Sequence, residues 1–296
     1  METIGFIGVG KIGLPICENL IKSGYRVVGF RRSSLADFEK IGGVPAKSPA
    51  EVGEQANFVF SCVPTAKAVH EVVQGPKGLI HAARPGQIIT ELGSHPVPEK
   101  GRHVAPLAKK GAVYLDGEVS GTPGMVAAHK AVIYLAGDAG AAKKIEPGFA
   151  DLCIYFGPFG GASKVKLVNN LLVAINIAAT AEAMALGLKA GVDVDAMIKA
   201  VANGSGGSTQ FGIRAPWMAQ RRFKPIQGSP ALLSHYFGMI DDWADSTDTA
   251  TPLFDRAVEL YQRCADMGLS EDNDVAVMID VLNAMPRQKH GKRNQA

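Results

Sequence analysis

The sequence predicts an α/β protein: a doubly wound parallel sheet followed by an all-α C-terminal domain that begins with a long interdomain helix. Two observations support this fold class. Short β-branched runs alternate with helical patterns up to residue 157. After Gly157 the strand patterns stop, and a proline-free apolar run over 163–190 follows the breaker cluster at 157–161.

The N-terminal half contains six runs with the composition of strands, separated by segments with helical spacing. Such alternation is typical of crossover units, whose strands pair in parallel. The predicted strands are Thr3–Ile7, Arg26–Phe30, Phe58–Val63, Gln87–Leu92, Val113–Asp116 and Val132–Ala136. The predicted helices between them are Leu14–Ser23, Ala66–Val73 and Pro98–Lys110.

The C-terminal half carries helical patterns only, over residues 163–190, 193–203, 229–245, 252–267 and 272–284. The first is apolar on nearly every face, as expected of a helix at the centre of a bundle or across a subunit interface. We therefore expect a homodimer or homotetramer. The expected domains are 1–162 and 163–285, with a basic disordered tail at 286–296.

Charge and spacing exclude several classes of protein. The net charge is +3, but the tail holds four cations and no acid, so the rest of the chain carries −1 and a nucleic-acid partner has little support. Four widely separated cysteines form no Cys-x-x-Cys pair, and the seven histidines show no metal-ligand spacing. We expect buried thiols in the cytoplasm and no metal.

Two apolar stretches resemble targeting segments. Ile4–Ile16 lacks a basic flank and is interrupted by four glycines, so a signal peptide is not indicated. Leu171–Leu188 is long enough to span a membrane, but it contains Asn176, Thr180 and Glu182. A buried helix is the better interpretation, and no membrane partner is expected.

A glycine-rich turn, Gly8-Val9-Gly10-Lys11-Ile12-Gly13, follows the first predicted strand and opens the first predicted helix. Alone, G-x-G-x-x-G is a weak signal, but in this context it is the fingerprint of a Rossmann dinucleotide-binding domain. Its glycines permit a tight turn and let backbone amides approach a pyrophosphate. The residues expected to bind the cofactor are Gly8, Gly10, Lys11, Ile12 and Gly13.

The end of the second strand favours NADP over NAD. An NAD site usually places an acid about twenty residues past the glycine turn, where it holds the ribose hydroxyls. This chain reads Phe30-Arg31-Arg32-Ser33-Ser34 instead. Guanidinium groups and a hydroxyl suit a 2′-phosphate, and there is no carboxylate at this position to repel the phosphate. We expect Arg31, Arg32 and Ser33 to bind NADP.

Lys166 and Asn170 lie four residues apart near the start of the long apolar run, so a helix would place both side chains on one face. A lone lysine is usually a solvated charge. An ammonium within so apolar a helix is costly unless it has a role or a partner. This pair is therefore the strongest candidate for catalysis and indicates an enzyme.

Four motifs occur in order along the chain: the Gly8–Gly13 turn, Val63-Pro64, the segment Asp116 to Thr122, and Lys166 to Asn170. Together they resemble the β-hydroxyacid dehydrogenases, a family that includes 3-hydroxyisobutyrate dehydrogenase, tartronate semialdehyde reductase and glyoxylate or succinic semialdehyde reductase. The resemblance covers nearly the whole chain. It implies an NADP-dependent enzyme that acts on a small hydroxyacid or aldehyde.

The resemblance also implies roles for individual residues. Lys166 matches the catalytic lysine, the general acid or base that moves the hydroxyl proton during hydride transfer. Asn170 matches the asparagine that orients the substrate. The loop that binds the substrate carboxylate is matched by Ser120, Gly121 and Thr122.

Further positions match the cofactor site, and two depart from the family pattern. Val63 and Pro64 match cofactor-binding residues, and Ser94 would place a hydroxyl between the nicotinamide ribose and the substrate. The Lys-Asp-Leu of the family is His235-Tyr236-Phe237 here, which removes a permanent cation and puts His235 in the substrate site. Glu118 stands where the family commonly has proline.

Three other functions compete with this interpretation. An imine reductase-like enzyme has a related fold but generally lacks the lysine, so Lys166 argues against it. 6-Phosphogluconate dehydrogenase has a much longer helical half. A cofactor-binding scaffold without chemistry is also expected to have lost the lysine, although the changed His235 site leaves the scaffold open.

Overall fold

The computed structural model describes residues 2–146 and 152–286. The chain divides into two compact units, Met1–Leu167 and Val168–Ala296, and the sequence-based boundary after residue 162 lies close to this division. The disordered tail predicted for 286–296 falls, apart from Pro286, outside the described residues.

The first unit is built on one sheet whose strand order is β3-β2-β1-β4-β5-β6-β7-β8. All neighbours pair in parallel except β6 and β7, which are antiparallel. The order reverses between β2-β1 and β4-β5, and ligands of doubly wound sheets bind at that switch point. The strands are β1 Thr3–Ile7, β2 Arg26–Phe30, β3 Val44–Pro45, β4 Phe58–Ser61, β5 Ile88–Glu91, β6 Val113–Ser120, β7 Val132–Ala136 and β8 Leu152–Tyr155.

Helices cover both faces of this sheet, which is why its central strands are buried almost throughout. One core cluster includes Phe6, Phe38 and Phe60, and a second includes Val28 and Val59. The helices are α1 Gly13–Lys22, α2 Ala36–Lys40, α3 Pro49–Gln55, α4 Ala66–Gln74, α5 Val97–Gly101, α6 Val104–Ala108, α7 Pro123–Ala127 and α8 Ala139–Ile145, with a 3-10 turn at Leu79–His81.

The predicted doubly wound fold class is confirmed, and its details need correction. The first two strands and the last predicted strand have the expected bounds, while β6 continues four residues further, to Ser120. β7 is antiparallel to β6 because the short segment 121–131 does not supply a crossover, which takes a dozen or more residues. The single helix predicted over Pro98–Lys110 is two short helices, α5 and α6.

The second unit contains helices and loops, with no strand among its described residues. Helix α9, Gly161–Lys189, begins in the first unit and continues into the second. The remaining helices are α10 Val194–Ala202, α11 Thr209–Ala219, α12 Pro230–Ser234, α13 Phe237–Ser246, α14 Pro252–Asp266 and α15 Met278–Ala284, with a 3-10 turn at Val275–Val277. Sequence analysis missed α11, because Gly212 and Pro216 lie inside it.

Helix α9 is long and apolar enough to cross a membrane, a property that core helices of water-soluble folds share. Its buried side is made of small and medium side chains, including Ala174, Ala181 and Met184. The opposite side exposes Leu172 and Leu186, which are 51% and 72% accessible. One side of the helix is therefore buried in the single chain, while the other exposes apolar side chains.

Candidate active site

The glycine turn joins β1 to α1 at the switch point of the sheet. A side chain at Gly8, whose φ is +89°, would place its Cβ 2.1 Å from the Cys62 carbonyl oxygen. A Cβ at Gly13 would lie 2.3 Å from the Gly8 carbonyl oxygen. At Gly10 a Cβ would meet nothing within 4 Å, so the fold leaves open space beside that residue. This space and the adjacent helix N-terminus fit a dinucleotide phosphate.

The two arginines after β2 occupy different environments. The Arg31 guanidinium donates to the Val9 carbonyl oxygen at 2.6 Å and forms an ion pair with Asp37. The hydrogen bond from Arg31 lowers the pKa of the Asp37 carboxyl. Arg32 and Ser33 are exposed. The end of β2 carries no acid, but Asp37 lies further along the chain, and α2 brings it back against Arg31, which the sequence did not predict.

Val63, Pro64 and Ser94 follow the neighbouring strands β4 and β5. Val63 is partly buried, and His95 Nε2 lies 3.0 Å from its carbonyl oxygen, while Pro64 is exposed. The Ser94 hydroxyl donates to Glu118 Oε2. Since a carboxylate only accepts, the Ser94 proton is directed at Glu118 and the Ser94 oxygen presents its lone pairs elsewhere.

A buried ionic cluster joins β6 to the start of α9. Lys100, Asp116 and Glu118 are all less than 2% exposed. Lys100 Nζ lies 2.6 Å from Asp116 Oδ1 and 3.4 Å from Glu118 Oε1. It also donates to the carbonyl oxygens of Gly93 and Gly117, at 3.1 and 3.0 Å. Burial opposes the charge of Lys100, but Glu118, Asp116 and Glu91 raise its pKa above the ordinary value.

Ser163 fixes the first turn of α9 to this cluster. Its backbone amide and its hydroxyl both donate to the Asp116 carboxylate, at 2.9 and 2.7 Å. The Lys100 ammonium lies 3.3 Å from the Ser163 oxygen. The helix that carries Lys166 is therefore anchored to β6 by a carboxylate that is itself held by a lysine.

Lys166 lies one turn further along α9 and is 8% exposed. Its ammonium donates to the Val119 carbonyl oxygen at 2.7 Å, which places it beside the last residue of β6, Ser120. Burial lowers the pKa of Lys166, and the Glu118 carboxylate and Cys62 oppose that effect. A depressed lysine pKa brings the amine closer to the range in which it can both take and give a proton.

The predicted carboxylate loop follows directly. Ser120 closes β6 opposite Val132, and Gly121 packs so closely that a Cβ would lie 3.0 Å from Ala131 Cβ. The Thr122 hydroxyl oxygen accepts from the Met125 amide at 3.3 Å and so caps α7. Lys166 and this loop therefore lie close together in the first unit.

In the second unit, Asn170 is 5% exposed and accepts a hydrogen bond from Asn169. Its own amide nitrogen is buried and has no partner among the described residues, as expected of a group that awaits a ligand. His235 is exposed at the end of α12, and its ring meets that of Tyr236 edge to face. Asp274 accepts from the Gln227 amide at 3.0 Å and pairs with Arg214, so it has a structural role.

Sequence analysis did not find Lys100, Asp116 or Ser163 as members of the site. One signal was present. Asp116 and Glu118 are two residues apart in a buried strand, so both point to the same face of the sheet. Two buried carboxylates on one face require a cation or a proton, and Lys100 supplies the cation.

The fold, the open glycine turn and the buried lysine define an oxidoreductase that binds a nicotinamide dinucleotide. Residues 3–157 match the NAD binding domain of 6-phosphogluconate dehydrogenase. Residues 160–282 match the domain described as NAD-binding of NADP-dependent 3-hydroxyisobutyrate dehydrogenase. The chain belongs to the 3-hydroxyisobutyrate dehydrogenase-type family of hydroxyacid dehydrogenases, which confirms the predicted family.

Individual relatives agree with this assignment. The chain is 32% identical to L-threonate dehydrogenase of Cupriavidus necator over 94% of its own length and 95% of the relative. It is 28% identical to the NAD-dependent L-serine dehydrogenase of Pseudomonas aeruginosa, over 92% and 95%. The structure of Mycobacterium tuberculosis 3-hydroxyisobutyrate dehydrogenase with L-serine superposes with a TM-score of 0.82 at 25% identity, covering 96% and 100%. The chain is an NAD(P)-binding oxidoreductase that acts on CH–OH groups.

Proposed function

We propose that the protein is an NADP-dependent oxidoreductase that interconverts a small β-hydroxyacid and the corresponding semialdehyde or oxo acid, with Lys166 as the general acid and base. The observation that carries this proposal is the position of Lys166. Its buried ammonium lies 2.7 Å from the Val119 carbonyl oxygen, next to the Ser120 loop and in the same unit as the glycine turn.

The proposed chemistry separates into two transfers. A bound nicotinamide supplies or accepts the hydride. In the oxidation, the neutral Lys166 amine takes the proton of the substrate hydroxyl as the carbinol carbon loses hydride. In the reduction, the Lys166 ammonium returns that proton to the carbonyl oxygen as hydride arrives. Burial lowers the pKa of Lys166 from its ordinary value, which makes the neutral amine that the oxidation needs more available.

The proposed substrate is a small hydroxyacid. Ser120, Gly121 and Thr122 would hold its carboxylate with backbone amides and hydroxyls. Asn170, one turn beyond Lys166 on α9, would orient the substrate with an amide nitrogen that has no partner among the described residues. The relatives support this class, since they are named for L-threonate and L-serine, both small acids that carry a hydroxyl group. His235 in place of a lysine leaves open a substrate that is larger or less anionic.

The test is the loss of chemistry without the loss of cofactor. We expect Lys166→Ala to reduce kcat by at least about 100-fold in hydroxyacid oxidation, followed at the nicotinamide absorbance. NADPH should bind the variant as it binds the wild type, which fluorescence titration measures. Lys164→Ala is the matched control, because Lys164 is exposed and lies two residues before Lys166 on the same helix, and it should keep full activity. An unchanged kcat in Lys166→Ala would contradict the proposal.

The preference for NADP rests on Arg32 and Ser33, because Arg31 is held by Val9 and Asp37. We expect tighter binding of NADPH than of NADH by calorimetry. Arg32→Ala should weaken NADPH about tenfold or more and leave NADH nearly unchanged, since it removes a charge-assisted contact to the 2′-phosphate. Asp37→Ala should strengthen NADPH, because it frees Arg31. Tighter binding of NADH by the wild type would refute this preference.

A scaffold without chemistry is the second candidate, and the observation that favours it is His235 in place of the family lysine. Tight NADPH binding with no turnover of any hydroxyacid or aldehyde in a substrate panel would support the scaffold. Turnover of a cyclic imine, with no turnover of any hydroxyacid, would support an imine reductase instead.

We also propose a homodimer or homotetramer in the cytoplasm. The oligomer is supported by the exposed apolar side of α9, where Val168, Leu172 and Leu186 are 46%, 51% and 72% accessible in the single chain. Burial of such side chains is expected to contribute about 1.5–3 kcal/mol each. The location is supported by the buried cysteines Cys17 and Cys264, neither of which forms a disulfide, and cell fractionation tests it.

A further inference from the structure

Glu118 is an unusual residue at the end of β6. Its carboxylate belongs to a side chain that is only 1% exposed. Its strand position places it two residues before Ser120 and one before Val119, whose carbonyl oxygen receives the Lys166 ammonium. A charge so far from water acts strongly on its neighbours.

The contacts of Glu118 fix both of its oxygens. Oε2 accepts the Ser94 hydroxyl. Oε1 lies 3.3 Å from the Ser163 oxygen and 3.4 Å from Lys100 Nζ. Lys100 has three protons, and closer acceptors take them: Asp116 at 2.6 Å and the carbonyl oxygens of Gly117 and Gly93. The negative charge of Glu118 is therefore only partly neutralised by Lys100.

We propose that Glu118 is a positioning residue that holds Lys166 in its ammonium form, and so favours carbonyl reduction over alcohol oxidation at neutral pH. This inference rests on the proposed role of Lys166 as general acid and base. In the reduction Lys166 must be charged, since it gives a proton to the carbonyl oxygen. In the oxidation it must be neutral, since it takes one.

The charges around the two groups support this assignment. Glu118 and Cys62 both act on Lys166, but burial, with Glu91 and Glu118, raises the pKa of Cys62 to about 12. That thiol is uncharged at neutral pH, whereas Glu118 accepts the Ser94 hydroxyl and lies 3.4 Å from the Lys100 ammonium, two contacts that favour its carboxylate form. Burial raises the pKa of Glu118 itself, and the Asp116 carboxylate adds to this effect. Lys100, Lys166 and the hydrogen bond from Ser94 oppose the rise.

The test is the pH profile of Glu118→Gln, a variant of equal size that keeps the hydrogen-bonding oxygen. Loss of the carboxylate lowers the pKa of Lys166, so the ammonium form ends at a lower pH. We expect the alkaline fall of kcat/KM for aldehyde reduction, and the rise of kcat/KM for hydroxyacid oxidation, each to move down by about one pH unit. Glu118→Asp restores the charge and should return both pH profiles most of the way to those of the wild type.

A surface carboxylate provides the matched control. Glu99 neighbours Lys100 in sequence, but its side chain is 37% exposed and pairs with Arg102. Glu99→Gln removes the same charge, screened by solvent, and should leave both limbs within about 0.2 pH unit of wild type.

A direct titration of Lys166 makes the test independent of turnover. The Nζ resonance in protein labelled with ¹⁵N-lysine, assigned by its loss in Lys166→Arg, should titrate about one pH unit lower in Glu118→Gln. If the resonance shifts but neither a hydroxyacid nor an aldehyde is turned over, the proposed function fails, while the effect of Glu118 on the charge of Lys166 stands. If neither the resonance nor the limbs move in correctly folded Glu118→Gln, the inference about Glu118 is overturned.

Discussion

Replacement of Lys100 by methionine tests whether the buried ionic cluster stabilises the first unit. The substitution keeps an unbranched side chain of similar length and removes the charge. It leaves the carboxylates of Asp116 and Glu118, both less than 2% exposed, without their nearest cation. It also removes donors from the Gly93 and Gly117 carbonyl oxygens.

The expected loss can be estimated from this geometry. Removing one partner of a buried, hydrogen-bonded ion pair costs about 3–5 kcal/mol, because the remaining charge is buried without compensation. In a unit of this size each kcal/mol lowers Tm by about 2–4 °C. We therefore expect Lys100→Met to unfold about 6–20 °C below wild type.

Urea denaturation followed by circular dichroism, without cofactor, measures the loss in the free energy of unfolding. Arg102→Ala is the control, because Arg102 and its partner Glu99 are 52% and 37% exposed. An exposed pair of this kind contributes about 0–1 kcal/mol. The triple variant Lys100→Met, Asp116→Asn and Glu118→Gln should recover more than half of the loss, since it removes the uncompensated charges. A loss below about 1 kcal/mol in Lys100→Met, or no recovery in the triple variant, would refute the reasoning.

Three further predictions follow from other parts of the structure. Gly10→Ala should weaken NADPH binding at least about tenfold in a titration and leave the stability measured by urea denaturation unchanged. Gly13→Ala should lower the free energy of unfolding by at least about 1–3 kcal/mol, measured by urea denaturation. Burial raises the pKa of Glu91 to about 7, so this carboxyl contributes stability that is lost as pH rises from about 4.5 to 7. The free energy of unfolding of Glu91→Gln should therefore exceed that of wild type by up to about 3 kcal/mol at pH 8, and by little at pH 4.5. Leu172→Glu with Leu186→Glu should reduce the mass measured by light scattering to that of one chain, while a stable oligomer would contradict an interface at α9.

Much of the first unit could be predicted from the sequence, because its signals are local. β1, β2 and β7 are short β-branched runs, and the structure gives them the expected bounds. The turn that follows β1 requires glycine at positions 8 and 13, because a Cβ at either position would collide with the backbone where β1, β4 and α1 meet. These features depend on a few neighbouring residues, so they can be read from the chain alone.

Elements that depend on tertiary contacts could not be predicted. Helix α11 contains Gly212 and Pro216, and it forms because Ser208 caps its start while Phe211, Trp217 and neighbouring side chains are buried. The edge strand β8 pairs with β7 although three of its four residues are exposed. Pairing and packing override the local propensity in both cases.

The ionic cluster explains why part of the site was missed. In the sequence Lys100 follows Glu99 and precedes Arg102, which looks like a solvated turn of helix. Burial of a charge becomes visible only when its partners are known, and those partners lie on β6, sixteen and eighteen residues away. The alternation of β6 gives the one usable rule: two acids at the same face of a buried strand imply a cation from another element. Applied to Asp116 and Glu118, the rule requires such a cation, and Lys100 supplies it from the end of α5.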